Sequence, residues 1–120
     1  GVWKSLDDKT GAPKSQVRIS DHGGVLTGQV ERVLRGGADP QAVCDKCTDD
    51  REDKPIVGLE IIRGAKQAEG KTVWEGGKIL DPENGKTYTL RLTPVEGGSK
   101  LEVRGSIGPF GRTQTWVRVQ

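Results

Sequence analysis

Residues 108–120 read GPFGRTQTWVRVQ, and residues 1–5 at the far end of the chain read GVWKS. The first is a glycine-broken turn leading into a segment in which Trp116 and Arg118, two positions apart, share one face of a strand. The second places Trp3 in a short β-prone run. If these two ends pair, everything between them belongs to one sheet, and that sheet closes into a barrel.

The segments next to this stretch support a sheet. Residues 100–107 (KLEVRGSI) alternate, with Leu101, Val103, Gly105 and Ile107 opposed to Lys100, Glu102, Arg104 and Ser106. Residues 87–93 (TYTLRLT) do the same with Tyr88, Leu90 and Leu92, and Glu96-Gly97-Gly98 supplies the turn between the two. Strict alternation is the mark of a half-buried strand. Further back, Asp81-Pro82-Glu83-Asn84-Gly85 is a strong turn, because proline sets φ and Asn-Gly accepts left-handed conformations. Residues 72–80 carry Trp74 and a Gly76-Gly77 pair that marks a bulge or bend and leaves their facing open. Residues 56–63 (IVGLEIIR) form a strand with Val57, Leu59 and Ile61 inward and Ile62 outward, followed by a polar turn at 65–71.

In the first half, residues 2–6 are a short strand ended by the turn DDKTGAP. Residues 15–20 place Val17 and Ile19 on one face, His22-Gly23-Gly24 turns the chain, and residues 25–34 return with Leu26, Gly28, Val30 and Leu34 inward. The total is about eight short strands at roughly 8–12-residue spacing, the pattern of an all-β sandwich or barrel. The expected fold class is an all-β, eight-stranded antiparallel up-and-down barrel, whose interior is just wide enough to be filled by side chains or to hold one small ligand. Residues 35–55, RGGADPQAVCDKCTDDREDKP, interrupt the pattern. They form a long loop or a short helix, since Asp39-Pro40 resembles an N-cap with proline at the first helical position.

Composition narrows the function. The chain has 120 residues, enough for one domain with one core, and its 19 Lys+Arg nearly balance its 17 Asp+Glu. The two signs are interspersed rather than gathered in a basic stripe with aromatics between, which argues against a nucleic-acid partner. No run approaches the about 18 apolar residues that a membrane-spanning helix needs. The chain opens directly on GVW, as a mature form after leader removal or a trimmed chain would.

Two resemblances follow from these residues. Gly1-x-Trp3 with Trp116-x-Arg118 resembles the calycin signature, in which an N-terminal tryptophan is covered by an arginine from the last strand. The ordered set GVWKSLDD, DPQAVCDKC, GLEIIRG, WEGGKILDPENGKTY and LEVRGSIGPFGRTQTWVRV is similar to the bacterial exported family called domain of unknown function twenty-one forty-seven. That resemblance implies a lipocalin-like barrel, export to the periplasm or outside, and no established activity or catalytic residues.

Three chemistries compete for Cys44-Asp45-Lys46-Cys47. A zinc site would need soft ligands that the sequence does not supply, because its single histidine, His22, is distant. A redox dithiol needs a stabilised thiolate, and Asp45, Asp49, Asp50, Glu52 and Asp53 oppose one. The favoured expectation is a local disulfide between Cys44 and Cys47, the usual state of an exported pair, worth about 2 kcal/mol for so short a loop in the chain-entropy model. His22 reads as a solvated turn residue, and the pairs Asp7-Asp8 and Asp49-Asp50 as solvated loop carboxylates. Neither a cofactor nor a metal is expected.

Trp3, Trp116 and Arg118 are expected to close the barrel structurally, with a cation–π contact worth about 0.5–2 kcal/mol. Arg112 could face the mouth or the base. Leu26, Val30, Leu59, Ile61, Tyr88, Leu90, Leu92, Leu101, Val103 and Ile107 are the candidate lining of a cavity, together with Val17, Ile19, Leu34 and Val57, and the same residues could equally pack solid. The leading expectation is a non-enzymatic, periplasmic or secreted binding protein for a small apolar or amphipathic ligand, lipid-like, with Tyr88 as a polar handle. The alternatives are an envelope interaction or hydrolase-inhibitor module acting through the loop 35–55, and a thiol oxidoreductase acting through Cys44 and Cys47.

Overall fold

The structure, a computed structural model, describes residues 1–7 and 9–119. Asp8 of the first carboxylate pair and Gln120 therefore lie outside the described residues. Among those residues eight strands run in order: β1 (Val2–Leu6), β2 (Pro13–His22), β3 (Val25–Val33), β4 (Glu60–Gln67), β5 (Trp74–Asp81), β6 (Lys86–Val95), β7 (Lys100–Ile107) and β8 (Phe110–Arg118). Each pairs with the next, and β1 pairs with β8 through Trp3↔Arg118 and Lys4↔Val117, so the sheet is a closed antiparallel up-and-down barrel. The closing ladder is short, but it removes the last unpaired sheet edge.

The alternating segments fold as their pattern dictates. The ladder between β6 and β7 aligns Leu92 with Val103, and the ladder between β7 and β8 aligns Leu101 with Trp116 and Val103 with Gln114. Departures from the expectation come where alternation is broken by bulges. Glu60 lies opposite Gln29 while Ile62 lies opposite Gly28, so Ile61 is an extra residue on β4. A bulge of this kind turns two consecutive side chains to one side. Ile62 is consequently not on the outer face: it is fully buried and packs against the bare Cα of Gly28, where an added Cβ would meet its side chain at 3.0 Å. The strand also starts later than expected, at Glu60. Val57 precedes it in a turn and is 44% exposed instead of inward. Residues 65–67, expected as turn, continue β4. Gly77 lets β5 pass close to β4, since a Cβ there would fall 2.5 Å from the Arg63 carbonyl oxygen.

Residues 35–55 contain turns and no helix. Asp39 does act on its following turn, its Oδ1 accepting the Gln41 N–H at 2.8 Å, but the chain then folds back as a miniature antiparallel arm. That arm is held by the Val43↔Pro55 bridge, by Cys44 N–H to the Lys54 carbonyl at 2.8 Å and by Ile56 N–H to the Ala42 carbonyl at 2.9 Å. The Cys44–Cys47 disulfide sits inside it, with Cα atoms 5.4 Å apart and both residues buried.

In an up-and-down barrel alternate connections share an end. The β2–β3, β4–β5 and β6–β7 turns and both ends of the described chain lie together at one end. The β1–β2, β3–β4, β5–β6 and β7–β8 connections gather at the other. The first end is packed solid around Trp3, Val17, Ile19, Leu101 and Trp116. The second opens.

Candidate functional site

The open half of the barrel holds a cavity of about 1260 Å³. Its lining falls into two chemically different walls. Val30 and Val33 from β3, Ile61 from β4, Ile79 from β5, Tyr88 from β6 and Val103 from β7 make an apolar wall. Ser5 from β1, Lys14 and Ser15 from β2, and Arg112 and Gln114 from β8 make a polar one, on three strands that are neighbours across the closure. Trp116 lies at the lower limit of the space and gives its indole N–H to Gln114 Oε1 at 3.3 Å. The hydroxyls of Ser5 and Ser15 are 2.5 Å apart, so these inward groups satisfy each other across the β1–β2 pair.

Of the ten residues expected to line a cavity, Val30, Ile61, Tyr88, Val103 and Ile107 do so. Ile107 stands at the rim, 52% exposed. Leu26, Leu59, Leu90, Leu92 and Leu101 do not line it. Leu59, Leu90, Leu92 and Leu101 are buried in the packed core and Leu26 packs against it. The correction has a simple cause: period-two alternation assigns a side chain to the inside but says nothing of its height along the barrel axis. Several lining residues were missed altogether. Ser5, Ser15 and Gln114 are polar, so no apolar alternation marks them as inward, although each is two positions from an inward residue, Trp3, Val17 and Trp116. Ile79 was obscured by the glycine bulge before it. Arg112, undecided from sequence, lines the cavity.

The mouth is built by ion pairs and by the long loop. Arg35 Nη1 bonds Glu83 Oε1 at 2.6 Å, Lys14 Nζ stands 3.5 Å from the same oxygen, and Arg35 Nη2 lies 3.6 Å from Asp7 Oδ2. Burial pushes the Glu83 carboxyl up, but the Arg35 hydrogen bond and the Lys14 and Arg35 charges outweigh it and hold the group below its ordinary range. The loop's Ala42, Val43 and Ile56 complete the wall above β3 and β4. Its backbone is pressed onto the β5–β6 turn at Gly85, where φ is +74° and a Cβ would collide with the Lys46 carbonyl oxygen at 1.9 Å. Only glycine fits there.

Below the loop, Arg51 fastens it to the barrel. Its side chain is 8% exposed, and it donates to the Glu60 carbonyl at 2.8 Å and through Nε and Nη2 to Asp49. The Arg51 hydrogen bonds, from the side chain first and the backbone N–H second, pull the Asp49 carboxyl down to about 2. Asp50 is likewise lowered by its bidentate hydrogen bonds from Arg63, at 2.9 and 2.8 Å. These loop carboxylates, expected to be merely solvated, are thus loop fasteners. At the closed end, the Arg118 guanidinium carbon lies 5.4 Å from the centre of the Trp3 ring, and Nη1 donates to the Gly98 carbonyl at 3.4 Å.

A closed eight-stranded barrel, sealed at the end where a tryptophan is covered by an arginine and hollow at the other, is a lipocalin-like fold. A solved structure agrees: HP1028 from Helicobacter pylori, described as belonging to the lipocalin family, superposes with a TM-score of 0.83 at 22% identity, covering 100% of this chain and 82% of that one. The chain belongs to the family described as "Uncharacterized protein conserved in bacteria" (DUF2147), whose model matches residues 1–118. No curated protein matches it.

Proposed function

We propose that the protein is a non-enzymatic, exported binding protein that carries a small amphipathic, lipid-like molecule in its barrel. The observation that carries this reading is the cavity itself: about 1260 Å³, with an apolar wall on one side and a polar wall on the other. Ligand sites are concave, mostly apolar and furnished with a few placed polar groups. An elongated molecule with one polar end matches a space so divided.

Two further observations support the reading. His22, the chain's only histidine, ends β2 at the closed end, away from the cavity, so acid–base chemistry through it has no pocket to work in. Cys44 and Cys47 are 0% and 3% exposed, which denies an attacking thiolate the access that exchange requires. The disulfide also favours export to an oxidising compartment, and among the described residues no helix is long and apolar enough to cross a membrane.

The test is organic extraction of protein purified from its native host, followed by mass spectrometry. A lipid-like compound at near-stoichiometric amount is the expected result. An empty extract, together with no saturable uptake of an environment-sensitive hydrophobic dye, would overturn the proposal.

A further inference from the structure

We infer that the turn between β7 and β8 is a membrane-docking tip, which seats Phe110 and Ile107 in an anionic lipid bilayer and sets the cavity mouth against it. The surface stands on its own geometry, and its use in loading the cavity rests on the binding reading above.

In a closed barrel of eight strands taken in order, connections four strands apart face each other across the mouth. The β1–β2 and β5–β6 turns are one such pair, and ion pairs join them. Lys14, at the start of β2, and Arg35 both reach Glu83, and Arg35 also reaches Asp7. The β3–β4 loop and the β7–β8 turn are the other pair. The loop covers its own side, with Ala38, Ala42 and Val43 over the cavity and the Lys46 backbone against the β5–β6 turn at Gly85. The route left to the cavity therefore runs beside the β7–β8 turn.

That turn carries the most exposed apolar side chains of the described residues. Ile107 and Phe110 are aligned across the ladder, border the cavity, and are 52% and 78% exposed. The other exposed large apolar side chains are valines, Val43 and Val57 in the loop and Val119 at the closed end. From Ile107 the lining continues inward to Tyr88, Ile79 and Val103. A partner that covers the tip thus meets the apolar wall of the cavity as well. Two side chains at the end of a turn fall far short of the about 800 Å² per partner that a stable protein interface buries. A bilayer needs no matching surface, since attachment to it grows with whatever apolar area is immersed and with the attraction of cations to anionic lipid.

Charge decides the kind of lipid. Residues 85–95 and 103–119 contain Lys86, Arg91, Arg104, Arg112 and Arg118 and no Asp or Glu. Arg91 lies 3.5 Å from Glu75, Arg118 belongs to the closed end, and Lys86 is aligned with Asp81. Arg104 and Arg112 flank the tip, one on the outer face of β7 and one on the inner face of β8. Arg104 lies across Gly111, where a Cβ would fall 2.6 Å from its Cζ, and Nη1 donates to the neutral Thr113 Oγ1 at 3.4 Å, so its charge is kept. What these arginines supply is positive charge beside the tip, not an open hydrogen-bonding position. On the far side of the mouth, residues 35–59 carry Asp39, Asp45, Asp49, Asp50, Glu52 and Asp53 against Arg35, Lys46, Arg51 and Lys54. An anionic surface attracts the first side and repels the second, which tips the β7–β8 turn into the lipid.

The test is flotation of the full chain at moderate salt with vesicles of phosphatidylcholine alone or of phosphatidylcholine and phosphatidylglycerol in equal parts. The chain should bind the anionic vesicles at least about tenfold more tightly than the neutral ones, the effect of two cations near the surface. Phe110→Ser should weaken that binding about tenfold and Arg104→Gln about fivefold, whereas Val119→Ser, at the closed end, should leave it unchanged. At limiting vesicle concentration, a hydrophobic dye preloaded in anionic vesicles should pass to Arg104→Gln about fivefold more slowly, while dye offered in water binds that variant as it binds the unaltered protein. Partition into neither vesicle, equal partition into both, Phe110→Ser and Arg104→Gln variants that bind as tightly as the unaltered chain, or an equal loss in Val119→Ser would each overturn the inference. Saturable dye uptake in the same samples would then leave the binding reading standing. Docking with no dye uptake from vesicles or water would bring down the binding reading and keep the tip.

Discussion

The two ends of this barrel are made of the same strands and behave as different materials. At the closed end, inward positions carry Trp3, Val17, Ile19, Leu101 and Trp116, and they fill the space. At the open end, inward positions carry Ser5, Ser15, Gln114 and Arg112 on one side and branched aliphatics on the other, and they line a cavity. Large aromatic side chains from β1 and β8 meet across the closing ladder below, whereas small polar ones face the same interior a turn of the pleat above. Stability is therefore concentrated in one half and room for a ligand in the other. Substitutions should separate the two.

The largest expected effect is in the packed half. Leu92 is 1% exposed and off the cavity, so Leu92→Ala should cost about 2–5 kcal/mol in urea unfolding, with ligand or dye affinity nearly unchanged in the folded fraction. Its counterpart is Ile79→Trp in the cavity wall, which should suppress dye uptake while moving the unfolding midpoint little. If Ile79→Trp destabilises as much as Leu92→Ala, the division between the halves fails.

Next in size is the seal. Arg118→Ala removes the guanidinium from the Trp3 face and should lower stability by about 0.5–2 kcal/mol. Affinity for any cavity ligand should change less than stability does. The reverse outcome would move Arg118 from the structural end to the binding end.

The smallest effect lies in the loop and depends on pH. The folded Asp49 carboxyl titrates near 2 against an ordinary 3.8, because Arg51 bonds its charged form. The unfolded chain therefore takes up this proton first. The stabilisation is fully present above about 3.8 and is lost as pH falls through about 2. Hydrogen exchange of the Cys44 and Asp53 amides should accelerate across that interval, and Asp49→Asn should show fast exchange already at neutral pH with little further change on acidification. Asp49 is exposed enough for solvent to screen the pair, so global stability should move only slightly. Unaltered acid dependence in Asp49→Asn would assign the loop's anchoring to other contacts.

Much of the architecture was legible without coordinates. Alternation in residues 87–93 and 100–107, turn chemistry at 81–85, and Trp3 with Arg118 at the two ends together specify a closed eight-stranded barrel, and the family model matches residues 1–118. The Cys44–Cys47 pairing could be expected from spacing. The site was legible only in part, and the failures are instructive. Ile62 was misplaced because a bulge at Ile61 adds one residue to a period of two, and nothing local announces it. The helix expected after Asp39-Pro40 does not form because the Cys44, Lys54 and Ile56 backbone groups pair across the arm instead.

What the sequence by itself determined is which side chains face inward and that the ends meet, because a strand's period and its turns are local properties of adjacent residues. What only the tertiary structure decided is height. Strand tilt, four sets of bulges and the fold of a long loop settle whether an inward leucine reaches the packed base or the open cavity. They also bring Ser5, Ile61, Tyr88 and Gln114, residues far apart in the chain, to the lining of one cavity. Those relations arise from closure of the whole sheet, and no segment of the chain contains them.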